Sequence, residues 1–364
     1  MVHFRKRLTP EILVEVNERI IAKGEKTSAK DHDDDQNDPP KNRGTLLVDA
    51  TCAPSNIKYP QDTELLNEAR ENLEKIIEIL HDPATGRKSR TYPQQARKAY
   101  LAIARKKKRS VRELRRAIRK QLQYIRRNLG YIDQMLLQGK ILPQHWNERL
   151  QTIRQLYVQQ QYMYQHKVHK VSDRIVNLRQ PYIRPIVRGK AKAPVEFGIK
   201  LDISVVNGFV RLEHQSFDAY NESEQLRQEI ERYRERYGYY PERVLADKIY
   251  RNRDNLNFCK EKDIRLSGPA LGRPKKDTVI DKKQDYQDIC ERVEVERAFS
   301  LAKRKFGMGL IRTYLEGTSK TMIALSILAL NLHKVFCAFL FVFIGRWLEL
   351  GFCANERKNV AFVQ

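Results

Sequence analysis

The chain mixes three patterns: apolar residues recurring every three or four positions, short unbroken apolar runs, and one long stretch of strict alternation. After Pro10, residues Leu13, Val16, Ile20 and Ile21 fall at helical spacing, which predicts a helix within residues 1–26. Residues 27–43, with Asp31, His32, Asp33, Asp34 and Asp35 followed by Pro39 and Pro40, break the pattern and predict a solvated linker. The neighbouring aspartates lack the glycine and distal glutamate of a calcium loop. Leu46, Leu47 and Val48, ended by Asp49, predict a short strand buried on both faces. From Asp62 to His81 the apolar positions keep a three-and-four spacing, as do Leu114, Ile118, Leu122 and Ile125 further on, so both segments predict amphipathic helices. Residues 151–164 continue the helical pattern; Tyr157, Tyr162 and Tyr164 there suit packing as well as base stacking.

At Pro194 the period changes. Val195, Phe197, Ile199, Leu201, Ile203 and Val205 alternate with Glu196, Gly198, Lys200, Asp202 and Ser204, the clearest strand signal in the chain. Asn207 and Gly208 predict a tight hairpin turn, and Val210 and Leu212 continue the alternation on the return. Asn221 and Glu224 are spaced as a capping box before a helix carrying Leu226, Ile230, Tyr233 and Tyr237. Val244, Leu245 and Ala246 then form a second short buried run, closed by Asp247.

Charge sharpens the picture. The 364 residues hold 69 Lys and Arg against 45 Asp and Glu, a formal charge of +24. Such an excess attracts polyanions, nucleic acid before acidic lipid. Much of it sits in one segment: Arg105, Lys106, Lys107, Lys108, Arg109, Arg112, Arg115, Arg116, Arg119, Lys120, Arg126 and Arg127, with Glu113 as the one acid. Uncompensated charges so dense repel one another, which points to a helix presenting a polyanion-binding face. The cysteines, Cys52, Cys259, Cys290, Cys337 and Cys353, are odd in number and widely spaced, the pattern of reduced thiols rather than a zinc ribbon. His166 and His169 lie in a polar stretch and suit a surface, and MVHFRKRLTP has no apolar core of a secretion signal. The apolar run at residues 335–344 is shorter than a bilayer requires, so a buried terminal helix or a tail foreign to the fold is expected there.

The chemistry rests on acids. Aspartate is a common turn residue or cap after a strand, which would account for Asp49 or Asp247 singly. As a pair at the ends of core strands they are what magnesium, a hard cation, requires. A third ligand is expected within residues 290–309, where Arg292, Glu296 and Lys303 project from one side of a helix and Val293, Ala298, Leu301 and Ala302 are left for packing. A surface ion pair between Arg292 and Glu296 fits equally well, and Glu291 and Glu294 compete for the ligand's place.

Three motifs, LLVDAT around Asp49, RVLADKIYRNRDN around Asp247, and R-x-x-x-E-x-x-x-x-x-x-K from Arg292 to Lys303, resemble the DDE transposases of bacterial insertion sequences, in the branch of families four and five. The segments AP-VEFGIKL and FDAYNESEQL support the resemblance, which covers roughly residues 1–335. Where that branch has a tyrosine three residues before the arginine, this chain has Ile289, with Tyr286 further back. The resemblance implies an α/β, RNase H-like fold: a mixed five-stranded sheet flanked by helices, with a large basic helical insertion between the first and second strands. The expected division is an N-terminal helix and linker (1–43), the first part of the catalytic domain (44–63), the insertion (64–185), the rest of the catalytic domain (186–334) and an apolar tail (335–364). Relatives carry a further amino-terminal domain that binds element ends, and by that comparison this chain looks truncated. Asp49, Asp247 and Glu296 would be catalytic and would hold two Mg2+ ions, Mn2+ being a substitute, while Arg292, Lys303 and the basic residues from Arg105 to Lys120 hold DNA. The implied partners are double-stranded DNA, at element ends and target, and a second copy of the chain; no membrane and no small-molecule substrate is expected, and the location is the cytoplasm, with the nucleoid. A catalytically inactive remnant that only binds DNA is the alternative, and a ribonuclease of the same fold a third reading. Gly272, Arg273 and Pro274, followed by Lys275 and Lys276, suit a basic loop touching phosphates better than a minor-groove hook.

Overall fold

Strand β1, Thr45–Pro54, extends well beyond its apolar run of three residues, because Ala50, Thr51, Cys52 and Ala53 are small residues that bury without forming a conspicuous pattern. Asp49 therefore sits in the middle of a strand and not at its end. The structure, a computed structural model, describes residues 7–28, 42–187, 195–268 and 282–360. It divides into one unit formed by Met1–Ser55 with Ile199–Gln364 and another formed by Asn56–Gly198.

In the first unit, helix α1 (Pro10–Ser28) precedes β1. Strand β3 (Val195–Val206), which starts in the second unit, turns at Asn207 and Gly208 into β4 (Phe209–Ser216). Both turn residues have positive φ, 51° and 72°, as a two-residue hairpin between twisted strands demands. Helix α6 (Leu226–Tyr237), β5 (Arg243–Leu245), helix α7 (Arg253–Glu261) and β6 (Arg265–Leu266) follow. Helices α8 (Lys282–Lys305) and α9 (Glu316–Val360) complete the described chain. β3 lies beside β1, β1 beside β5 and β5 beside β6, with β4 against β3. β1, β5 and β6 run parallel while β3 and β4 are antiparallel, so the sheet is mixed. One core packs Leu46, Val48, Val244 and Leu266 of the strands against Leu226, Ile230 and Tyr233 of α6.

Strict alternation ordinarily marks a half-buried strand, yet in β3 the polar positions Lys200, Asp202 and Ser204 are as buried as the apolar ones. Helices explain this. On the hairpin, Glu213 of β4 is enclosed by Arg232 and Arg236 of α6 and accepts a 2.5 Å hydrogen bond from Ser204. Arg211 meets Glu18 of α1, and Asn331 of α9 pairs with the backbone of Val210 and with Asn17. The partnered polar positions are thus neutralised in place, which offsets the cost of burying them.

Of the two expectations for the terminal apolar run, a buried helix or a tail foreign to the fold, helix α9 corrects the first. Ile323, Ala324, Ile327 and Leu330 are core residues, but Phe336 and residues 339–344 are exposed. The stretch Glu316–Ile344 is long and apolar enough to cross a membrane by length and composition, although its first half forms part of the unit's core.

The second unit is helical: α2 (Asp62–Leu80), α3 (Pro93–Ala104), α4 (Val111–Leu137) and α5 (Gln144–His166). β2 (Arg184–Val187) pairs antiparallel with Val195–Gly198, the opening residues of β3, and gives the sheet six strands where five were expected. Leu66, Leu73 and Ile76 of α2, Ile125 and Ile132 of α4, and Leu150 and Ile153 of α5 share one core. The basic segment is not one helix from Arg105. Ser110 caps α4 in a capping box with Glu113, so residues 105–110 connect α3 to α4. The single acid of that segment is thereby a cap, its carboxyl held down to about 2 chiefly by Lys106 at 2.6 Å.

Candidate functional site

The last paired residues of β1 and β5 are Leu47 and Leu245, and Asp49 and Asp247 each stand two residues beyond. Parallel neighbours in register thus carry the two acids out at the same level. Asp247 begins the short turn Lys248–Tyr250, where its carboxylate accepts the Lys248 amide at 2.7 Å. Asp49 accepts the Ala50 amide at 2.8 Å. Arg292 of α8 lies 3.8 Å from Asp247 and 3.7 Å from Glu296, and its charge also acts on Asp49. One guanidinium therefore contacts two of the acids, and its charge acts on the third.

Burial pushes the Asp49 carboxyl up to about 6, with Asp247 and Glu222 adding to the rise and the Ala50 amide and Arg292 opposing it. Lys303, two turns beyond Glu296 along α8, donates a 2.8 Å hydrogen bond to Thr51, the residue two beyond Asp49 on β1. The side of α8 against the sheet is formed by Val295, Phe299 and Ala302, with Val293, Ala298 and Leu301 only partly buried; the packing stripe is shifted from the expected one. Glu291 is engaged by Arg243 at 2.6 Å, and Glu294 lines a groove with Gly208, His333 and Lys334. Of the three glutamates that compete for the third position, Glu296 is the one paired with Arg292, which also reaches Asp247. Among the described residues, no group of three or more His, Cys, Asp or Glu side chains is set to hold a metal ion.

Behind Asp49 lies a polar cluster that sequence reasoning missed. Asp202 is 0% exposed and neither of its carboxylate oxygens has a hydrogen-bond partner of ordinary geometry. Burial lifts its carboxyl to about 7, with Glu222 and Asp49 adding and Tyr220 and Lys200 opposing. Glu229 is equally enclosed and also unpartnered, and burial followed by Asp202 drives its carboxyl well up. The Tyr220 hydroxyl faces Asp202, and that of Tyr250 closes the cluster with no partner among the described residues. Lys200 satisfies its own charge at Glu222, 2.5 Å, and at the Tyr220 carbonyl, 2.8 Å. The sequence offered one signal, Asp202 in the alternating strand, and it looked solvent-facing.

In the second unit Arg105, Lys106, Lys107, Lys108, Arg112, Arg116, Arg119 and Lys120 are exposed. Three of the expected DNA contacts have structural duties, Lys106 through its pairing with Glu113 at 2.6 Å. Arg109 binds Gln61 and the Ala104 and Lys106 carbonyls, and Arg115 donates to the Tyr164 carbonyl while covering its ring at 4.6 Å. His166 and His169 are exposed, and the segment Gly272 to Lys276 lies outside the described residues.

A family model for the transposase DDE domain matches residues 244–333. The matched stretch runs from β5 through α8 into α9 and contains Asp247, Arg292, Glu296 and Lys303, but not Asp49. No curated protein and no solved structure matches the chain.

Proposed function

We propose that the protein is a DNA transposase of the DDE type, which cleaves at the ends of an insertion sequence and joins those ends to a target. The observation that carries this reading is the gathering of Asp49, Asp247 and Glu296, remote in sequence, around Arg292. The RNase H-like frame is supported by a mixed sheet in which the parallel pair β1 and β5 presents two of the acids and α8 the third. The helical second unit would then be an insertion between the first strand and the hairpin.

The donor set suits hard divalent cations, Mg2+ or Mn2+: all three groups are carboxylates, and a cation would offset the burial and mutual repulsion that raise Asp49. When bound, a pair of such ions activates the attacking oxygen and stabilises the leaving one. Asp49, Asp247 and Glu296 would hold them. The side chains of this protein supply position and charge. Arg292 exchanges its carboxylate contacts for a DNA phosphate, and Lys303, oriented by Thr51, holds a neighbouring phosphate. Water attack breaks a phosphodiester and leaves a 3′-hydroxyl; attack of that hydroxyl on a target phosphodiester forms the new bond and releases a target 3′-hydroxyl. The exposed cations of α4 and of the connector before it hold duplex backbone, and two copies of the chain pair two ends in the cytoplasm.

Purified full-length chain with Mg2+ is expected to nick or join supercoiled plasmid, and Asp247→Ala to bind it equally while doing neither. A second reading is favoured by the contact of Arg292 with Asp247 and Glu296: a remnant that binds DNA without cutting. Binding without cutting by the parent chain establishes that reading; cutting confined to an RNA–DNA hybrid establishes a ribonuclease.

A further inference from the structure

Between α4 and α5 the second unit contains a cleft of about 170 Å³, open to solvent, that the chemistry above does not use. Leu122, Tyr157 and Tyr164 form its inner surface; the leucine belongs to the unit's core and the two tyrosines are half-buried against it. Arg115 fixes Tyr164 by covering its ring and bonding its carbonyl. Arg119 and Arg126, two turns apart on α4, stand at the cleft with no acid among its lining residues. Neither guanidinium has a hydrogen bond or ion pair among the described contacts, and the same holds for the amides of Gln123 and Gln161, which complete the lining.

The combination is selective. Backbone phosphates of a regular duplex need cations on an open ridge, and α4 has these outside the cleft in Arg112 and Arg116. Recessed aromatic rings with unused amides suit a flat heterocycle whose edge carries donors and acceptors, and the flanking guanidinia suit its phosphate. A paired base cannot enter, because its edge is occupied and its faces are stacked.

Building on the reading that this unit binds DNA, we propose that the α4–α5 cleft binds an unpaired nucleotide of a DNA strand. Arg119 and Arg126 hold its phosphate, Tyr157 or Tyr164 takes the base face, and Gln123 and Gln161 meet the base edge.

The test uses the full chain and two short fluorescent duplexes, one carrying 2-aminopurine as a single-nucleotide bulge and one carrying it paired. The bulged probe is expected to bind about ten-fold more tightly, the magnitude of one stacked base, with its emission quenched. The double variant Gln123→Ala with Gln161→Ala should narrow that preference and keep its affinity for the paired probe. Arg119→Ala with Arg126→Ala should weaken both. Equal binding of the two probes by the parent chain, or an undiminished preference in the glutamine variant, overturns the cleft assignment and leaves DNA binding intact. If the parent binds neither probe, the DNA-binding reading of the unit falls, and the cleft assignment with it.

Discussion

In the unit built on β1, Asp202 and Glu229 are sealed from solvent, and among the described residues no cation pairs with them and no hydrogen bond of ordinary geometry reaches their oxygens. Among the described residues of the helical unit the one deeply buried ion, Arg70, is matched by Glu74 at 2.5 Å and by Asn67 at 2.9 Å, and the excess charge is left outside on α4. The helical unit follows the rules of stability, under which a buried charge is kept only if partnered and a surplus of one sign stays hydrated. The sheet unit breaks them beside the three acids. An unrelieved buried carboxylate costs free energy, so its presence next to other carboxylates marks a place organised for something other than stability.

Removing a partnered charge should cost the most. Arg70→Ala leaves Glu74 facing the core and is expected to destabilise the helical unit by about 4 kcal/mol, read from urea unfolding. If the loss is below about 1 kcal/mol, the comparison fails at its better-behaved end.

Removing an unpartnered charge should do the opposite. The folded carboxyl of Asp202 is raised to about 7, above its ordinary value. Between that ordinary value and about 7 the folded state holds more protons than the unfolded one, so stability falls as pH rises through this window. Asp202→Asn removes the penalty and is expected to raise stability at pH 8 by about 2 kcal/mol, and by much less at pH 5. Thermal unfolding at the two pH values checks it; a gain that does not depend on pH would mean that Asp202 is not a buried acid.

Much of the fold was legible because hydrophobic periodicity follows secondary structure, as α1, α2 and the β3–β4 hairpin show. What was lost was lost for physical reasons. β1 continues through Ala50, Thr51, Cys52 and Ala53, whose small side chains bury without a signature. Strand β2 is four residues of edge pairing that no period announces. At the site, Asp49, Asp247 and Glu296 were visible as motifs, whereas Asp202 was not: alternation records which residues share a face, and says nothing of whether a helix will cover that face.

Smaller effects refine the helical side. Each of Arg112→Ala and Arg116→Ala should lower the slope of log affinity for duplex DNA against log salt by about one, while Arg115→Ala should act mainly on stability, because its guanidinium is committed to Tyr164. Ser110→Ala should cost about 1 kcal/mol by unmaking the cap of α4. An Arg115 variant that lost salt dependence like its neighbours would redraw the boundary between cations that hold the helices together and cations offered to DNA.

The central claim, that Asp49, Asp247 and Glu296 act as one set of oxygen donors, is tested most directly by calorimetric titration of the full chain with Mn2+ in the absence of DNA. The account predicts binding that strengthens as pH rises through about 6, where Asp49 loses its proton, and that is largely abolished in Asp49→Asn, in Asp247→Asn and in Glu296→Gln. Binding unchanged in any one of these variants would contradict it.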